Sequence, residues 1–195
     1  MDIQNKNRKL LKKNHVYDET MEHDACGVGL VASTEGLKSR KVVEYGIEAL
    51  KAVWHRGAID ADGKTGDGAG IHIEIPNDFF AEKIEITGHE HDNSDLCVGM
   101  IFLPRNDFGG QEQCRSIVES ELTKKNFNIY GWRQVPVDPS VLGEKAEQTR
   151  PEITQVLFTH NDKSIHGKDL ERALYETRRK IEKEALRNQL NNFYI

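Results

Sequence analysis

The chain has 195 residues, with 32 acidic against 27 basic side chains and a formal net charge of −5 with histidine neutral. Hydrophobic residues make up 37% and charged residues 30%, too polar for a membrane protein yet apolar enough to build a core. No stretch approaches the roughly 18 apolar residues of a spanning helix, the mild acidity argues against nucleic-acid binding, and the three cysteines are too few and too scattered for a disulfide framework or a CxxC metal site.

Residues 1–25 carry a basic cluster (Lys6, Arg8, Lys9, Lys12, Lys13) and then an acidic one (Asp18, Glu19, Glu22, Asp24). They show neither a period that would bury a face nor the apolar stretch of a signal peptide. They read as a disordered or removed leader, with residues 26–195 as the domain. CGVGLVAS, from Cys26, is a short apolar run and reads as a buried strand. Ser39 then caps a helical pattern in which Val42, Val43, Ile47, Leu50 and Trp54 recur at three- and four-residue spacing. HRGAIDADGKTGDGAG, with five glycines and no periodicity, is a long loop of the kind that is functional or disordered. IHIEIP alternates and predicts a half-buried strand ending at Pro76.

Phe79, Phe80 and Lys83 suggest a short helix, followed by the polar stretch TGHEHDNSD. LCVGMIFLP reads as a central strand and QEQCRSIVESELTKKN as an amphipathic helix through Cys114, Ile117, Val118 and Leu122. NIYGWRQVPVD and PEITQVLFTH are two more strands. From His166 to Asn191 runs the clearest helix, with an apolar stripe of Leu170, Leu174, Thr177, Ile181 and Ala185 and a possible Glu176–Lys180 pair at i,i+4. NNFYI then looks like the start of a strand, so the sequence reads as a truncated piece of a longer protein. Helices and strands together predict a soluble α/β protein of a reducing compartment, the cytoplasm.

Gly63-Lys64-Thr65 resembles the end of a phosphate-binding loop, but such a loop needs glycine where Ala58 stands. Gly66, Gly68 and Gly70 resemble a dinucleotide fingerprint, yet Ile71 replaces its last glycine and a strand follows. His89, Glu90, His91 and Asp92 lack metal-ligand spacing and read as a solvated loop; no metal site is expected. Cys97 and Cys114 fall on a strand and on an apolar helix face, as small buried hydrophobes. Cys26 sits between leader and core, flanked by Ala25 and Gly27. It is either a buried strand cysteine or, if the leader is cut after Ala25, a residue owning both a thiol and an α-amine that titrates near pH 8. The latter is the chemistry of an N-terminal nucleophile.

Four segments carry a resemblance: HDACGVGLVAS, YGIEALKAVWHRGAIDADGKTGDGAGI, GWRQVPVDPSVLGEKAEQTRPEI and LERALYETRRKIEKE. From about Tyr17 onward the chain resembles the amino-terminal part of the glutamate synthase large-subunit family, within the class II glutamine amidotransferases. The resemblance implies an Ntn-hydrolase fold of the α+β class, a four-layer α/β/β/α sandwich of antiparallel sheets, incomplete here. It implies Cys26 as nucleophile, Arg56 and Gly57 as the HRG elements shaping the glutamine pocket, and Asp67, Gly68 and Gly70 as a loop with a structural role first, whose glycines permit tight, positive-φ backbone and close approach to neighbouring chain. Its partners would be L-glutamine, the rest of a synthase chain, and a small electron-donating subunit or ferredoxin. No cofactor is expected in this segment, and FMN with an iron–sulfur cluster in the full-length enzyme. The family's later Asn-Gly-Glu and Arg-Phe-Ser-Thr-Asn-Thr segments do not occur in these residues. One oxyanion donor is worth a hundredfold or more in rate, roughly 3 kcal/mol, so the 195 residues alone are expected to be nearly inactive. The alternative is a truncated or degenerate amidotransferase-like module without catalytic activity.

Overall fold

The computed structural model describes residues 27–53, 59–66, 68–91 and 95–195. The leader at 1–25, Cys26, Trp54, Arg56, Gly57 and Asp67 lie outside the described residues. The chain divides into two compact units, Met1–Gly57 with Ala69–Ile71, and Ala58–Gly68 with His72–Ile195.

In the first unit, helix α1 spans Arg40–Ala52. As the sequence predicts, Ser39 caps it, accepting from the Lys41 N–H at 3.2 Å and meeting one of the donors a helix start leaves free. Val42, Val43, Ile47 and Leu50 are half-buried on one face. The expected strand at CGVGLVAS does not form in its described part. Residues 27–33 are irregular, and Val28 and Leu30 stand 95% and 91% exposed. IHIEIP likewise forms no strand, with Ile71 and Ile73 both exposed. Apolar patterning defines a face, but a strand exists only through its hydrogen-bonded neighbour, and no partner strand for either segment forms among the described residues.

The second unit is built on a three-stranded antiparallel sheet. Strands β1 (Leu96–Leu103), β2 (Phe127–Gln134) and β3 (Glu152–His160) lie in the order β1-β3-β2. LCVGMIFLP is therefore not the central strand. It pairs with β3 along its full length, and among the described residues its other edge takes only Tyr194, whose backbone exchanges two hydrogen bonds with Phe102 at 2.9 and 3.0 Å. That bridge is the strand start expected at NNFYI. Around the sheet stand α2 (Asn77–Ile86), α3 (Phe108–Lys124), a 3-10 turn at Pro139–Val141, α4 (Glu144–Thr149) and α5 (Gly167–Arg187). The antiparallel α+β character agrees with the Ntn-hydrolase expectation.

Side-chain alternation along the strands divides the interior into two cores. On one face Cys97, Ile101, Leu103, Phe127, Val156 and Phe158 pack under α3 and α5, which contribute Cys114, Val118, Leu122, Leu170 and Ile181. On the other, Leu96, Tyr130 and Leu157 pack against Phe80 and Ile84 of α2. A β-bulge between Ile129 and Gly131 shifts the β2 register at Tyr130. The α5 stripe is as expected: Leu170, Thr177, Ile181 and Ala185 are buried. Glu176 bonds not Lys180 but Lys125, at 2.7 Å, because the end of α3 brings that ammonium alongside.

Ile101 is fully buried and Met100, its neighbour on the opposite face, is 39% exposed. Truncating a buried isoleucine loses transfer energy and leaves a cavity. Ile101→Ala should therefore cost about 2–5 kcal/mol in urea unfolding, and Met100→Ala less than about 1 kcal/mol. Equal costs would show that the two faces are not separated in this way.

Candidate functional site

Of the expected site residues, Cys26, Arg56, Gly57 and Asp67 lie outside the described residues. Gly68 and Gly70 are described and exposed. Neither has positive φ, and a Cβ on either would meet nothing within 4 Å. Among the described residues of this loop, the glycine with a left-handed φ is Gly63, at +69°.

The short segment between the two halves of the expected site is closely organised. Ile59 and Gly66 form an antiparallel bridge, the Asp60 N–H donates to the Thr65 carbonyl at 2.7 Å, and the Gly63 N–H donates back to Asp60 O at 2.9 Å. The Asp62 carboxylate fills the resulting turn. It accepts from the Lys64 and Thr65 backbone N–H groups at 2.9 and 2.7 Å and from the Thr65 hydroxyl at 2.5 Å. The resemblance of Gly63-Lys64-Thr65 to a phosphate loop resolves here, because the chain's own carboxylate occupies the converging N–H groups that an anion would need.

Those bonds hold the Asp62 carboxyl well below the usual carboxylate range, the Thr65 hydroxyl first, then the Lys64 and Thr65 N–H groups and a lesser one from Lys145. A depressed acid stabilises the fold above its unfolded pKa, about 3.9 for aspartate, and loses that contribution as pH falls through the lower folded value. Hydrogen-exchange protection factors for the Lys64 and Thr65 amides should stay constant from neutral pH to about 4 and fall progressively below it, toward the lower folded value. Loss of protection already near pH 6 would mean that another group holds the turn.

The loop docks on α4, which sequence reasoning passed over. Lys145 Nζ reaches both Asp60 oxygens at 2.8 and 2.7 Å, and Thr65 Oγ1 accepts from the Ala146 N–H at 3.4 Å. The available signal was Gly143, a glycine directly before the helical run EKAEQT, with no capping side chain.

Cys97 and Cys114 are buried free thiols, as expected. Burial pushes the Cys97 thiol up to about 12, with Asp95 and Glu171 acting the same way. Burial also raises Cys114, helped by Asp107. A thiolate is the reactive form, so neither thiol should react with a disulfide reagent at pH 8 until the protein unfolds. Labelling of either on the timescale of an exposed thiol would contradict their burial. Near the start of α5, Asp78, His91, Asp95, His166 and Glu171 line an open cleft of about 720 Å³. Among the described residues no group of three or more histidine, cysteine or carboxylate side chains is placed to hold a metal ion, and no helix is long and apolar enough to cross a membrane.

Residues 26–195 match the family described as glutamine amidotransferases class-II. The chain is 51% identical to the glutamate synthase [NADPH] large chain of Azospirillum brasilense over 97% of its own length and 12% of that protein. It is 37% identical to the chloroplastic ferredoxin-dependent glutamate synthase 2 of Arabidopsis thaliana, over 87% of this chain and 10% of the relative. A ferredoxin-dependent glutamate synthase 2 of Synechocystis shows 37% identity over 89% and 11%. The chain thus spans about a tenth of the length of these relatives.

Proposed function

The chain belongs to the class II glutamine amidotransferases, and on that premise we propose that it is the amide-cleaving part of a glutamate synthase, with Cys26 as nucleophile. The observation that carries this reading is where the family match begins, at Cys26 itself. Residues 1–25 are then a propeptide whose removal frees the Cys26 α-amine.

The reaction follows from having thiol and amine on one residue. The α-amine takes the thiol proton, and the thiolate attacks the side-chain amide carbon of L-glutamine. As the tetrahedral adduct collapses, the C–N bond breaks, the ammonium returns its proton to the leaving nitrogen, and ammonia departs. A glutamyl thioester remains on Cys26. Water adds to it with the amine as base, releasing glutamate and restoring the thiol. Arg56 and Gly57 shape the glutamine pocket, and a guanidinium beside the sulfur favours the thiolate. Asp67, Gly68 and Gly70 belong to the loop that follows.

Ammonia then passes to the rest of the synthase chain, where 2-oxoglutarate is aminated and reduced to glutamate, with electrons from a small subunit or ferredoxin. FMN and an iron–sulfur cluster supply the electron transfer when bound. The described residues offer no cluster of thiolates for such a centre, since Cys97 and Cys114 are spent in the core, and no step of amide cleavage runs through either group. Free buried thiols suit a reducing, cytoplasmic setting. The relatives' names are all those of synthases, which favours this reading over a non-catalytic module.

The test is Cys26→Ser in the full-length chain carrying this sequence, together with intact-mass analysis of the active protein. Glutamine-dependent synthesis should disappear while synthesis from added ammonia persists, and the active protein should begin at Cys26. Glutamine-dependent turnover near wild type in the variant, or an active protein retaining Met1, would remove Cys26 from this role.

A further inference from the structure

Asp62 is followed by Gly63, and both residues are exposed. An aspartate before glycine is open to a reaction with its own backbone. With no Cβ on the following residue to obstruct it, the next peptide nitrogen can swing onto the side-chain carboxyl and close a five-membered ring. In the folded protein the groups that would react are held elsewhere. Asp62 Oδ1 accepts from the Lys64 and Thr65 N–H groups at 2.9 and 2.7 Å, and Oδ2 accepts from the Thr65 hydroxyl at 2.5 Å. These bonds favour the carboxylate over the acid, and the carboxylate is the poorer electrophile. The attacking nitrogen is engaged as well, because the Gly63 N–H donates to the Asp60 carbonyl at 2.9 Å.

The turn is held shut from α4. Thr65 Oγ1 donates to Asp62 and accepts from the Ala146 N–H at 3.4 Å, so a single hydroxyl joins carboxylate and helix. The close approach depends on Gly143, where a Cβ would lie 2.5 Å from the Thr65 nitrogen and collide with the Asp62 carboxylate. Lys145 Nζ grips both Asp60 oxygens at 2.8 and 2.7 Å. Arg105, just beyond β1, fastens α4 in turn, reaching the Glu147 carboxylate at 2.5 Å and its carbonyl at 3.2 Å. All of these groups belong to the second unit.

We propose that Asp62 is a latent isoaspartate site, held in its normal form by the docking of Ile59–Gly66 on α4. When the segment opens, the Gly63 nitrogen attacks Asp62 Cγ in its carboxylic-acid form. A C–N bond forms, a C–O bond breaks, and water leaves with one proton from the nitrogen and one from the acid. Water then reopens the succinimide. Addition at the side-chain carbonyl restores aspartate. Addition at the main-chain carbonyl routes the backbone through Cβ and Cγ and leaves the α-carboxylate as the side group. The inserted methylene moves the carboxylate off the Lys64 and Thr65 N–H groups, so the segment can no longer dock as before. Opening sets the rate, and losing one hydrogen bond to a charged group shifts such an opening by about tenfold or more.

The experiment ages the full-length chain carrying this sequence at neutral pH and physiological temperature, beside a synthetic peptide of residues 57–66. Trypsin, cutting after Arg56 and Lys64, separates Asp62 from the second Asp-Gly pair at Asp67–Gly68, and electron-transfer fragmentation locates isoaspartate within the fragment. The peptide should form isoaspartate at 62 more than about tenfold faster than the folded chain. Thr65→Val, Gly143→Ala and Lys145→Met should each accelerate the folded chain toward the peptide rate and speed hydrogen exchange at the Ala146 amide. Thr65→Ser, which keeps the hydroxyl, should behave as the parent. If Gly143→Ala does not fold, Thr65→Val and Lys145→Met carry the test, since both alter exposed polar contacts. Equal rates in peptide and folded chain, or no isoaspartate at 62 in the peptide, overturn the proposal. A parental rate in Thr65→Val and Lys145→Met overturns the part assigned to α4.

Discussion

The second unit depends on the insertion of β3 between β1 and β2. β3 comes last of the three strands in sequence, yet among the described strands it alone has a strand along each edge. Its alternation therefore sets what each face of the sheet can bury. Val156 and Phe158 face α3 and α5, and Leu157 faces α2. Because one-residue slippage would turn every side chain to the opposite face, the two cores lock the register together. The outer edge of β1 would otherwise present free N–H and C=O groups, and the Tyr194 bridge covers part of it.

The polar bonds on either side of this sheet are arranged for connection more than for gross stability. Exposed ion pairs are individually weak, and those along α5, such as Arg178–Glu182 at 3.6 Å, run within one helix. The pairs around α4 differ because they join distant parts of the chain: Lys145 to Asp60, and Arg105 to Glu147. Glu147 is shared between Arg150 and Arg105, and both hold its carboxyl below the ordinary range.

Cysteine placement sorts the chemistry. Two thiols lie in one apolar core, where burial keeps them protonated and inert. The proposed nucleophile is the third, Cys26, at the point where the family match opens. A reactive thiol needs its thiolate form and access to substrate, and burial denies both to Cys97 and Cys114.

The sequence by itself determined the longer helices and the family to which the chain belongs. Ser39 followed by apolar residues at helical spacing, and the stripe from Leu170 to Ala185, are local patterns, and each helix forms its own hydrogen bonds. Family membership was equally legible, because HRG and the glycine-rich stretch after it are contiguous words. Strand partnership was not. LCVGMIFLP is the more apolar strand but lies beside the central one, and IHIEIP alternates without pairing, because strand order is decided by distant segments competing for the same edges. The docking of Asp62 and Thr65 on α4 was hidden for the same reason. Nothing local to Gly143 says which carboxylate and hydroxyl will fill the space its missing side chain leaves, and only the tertiary structure brings residues eighty apart into hydrogen-bond range.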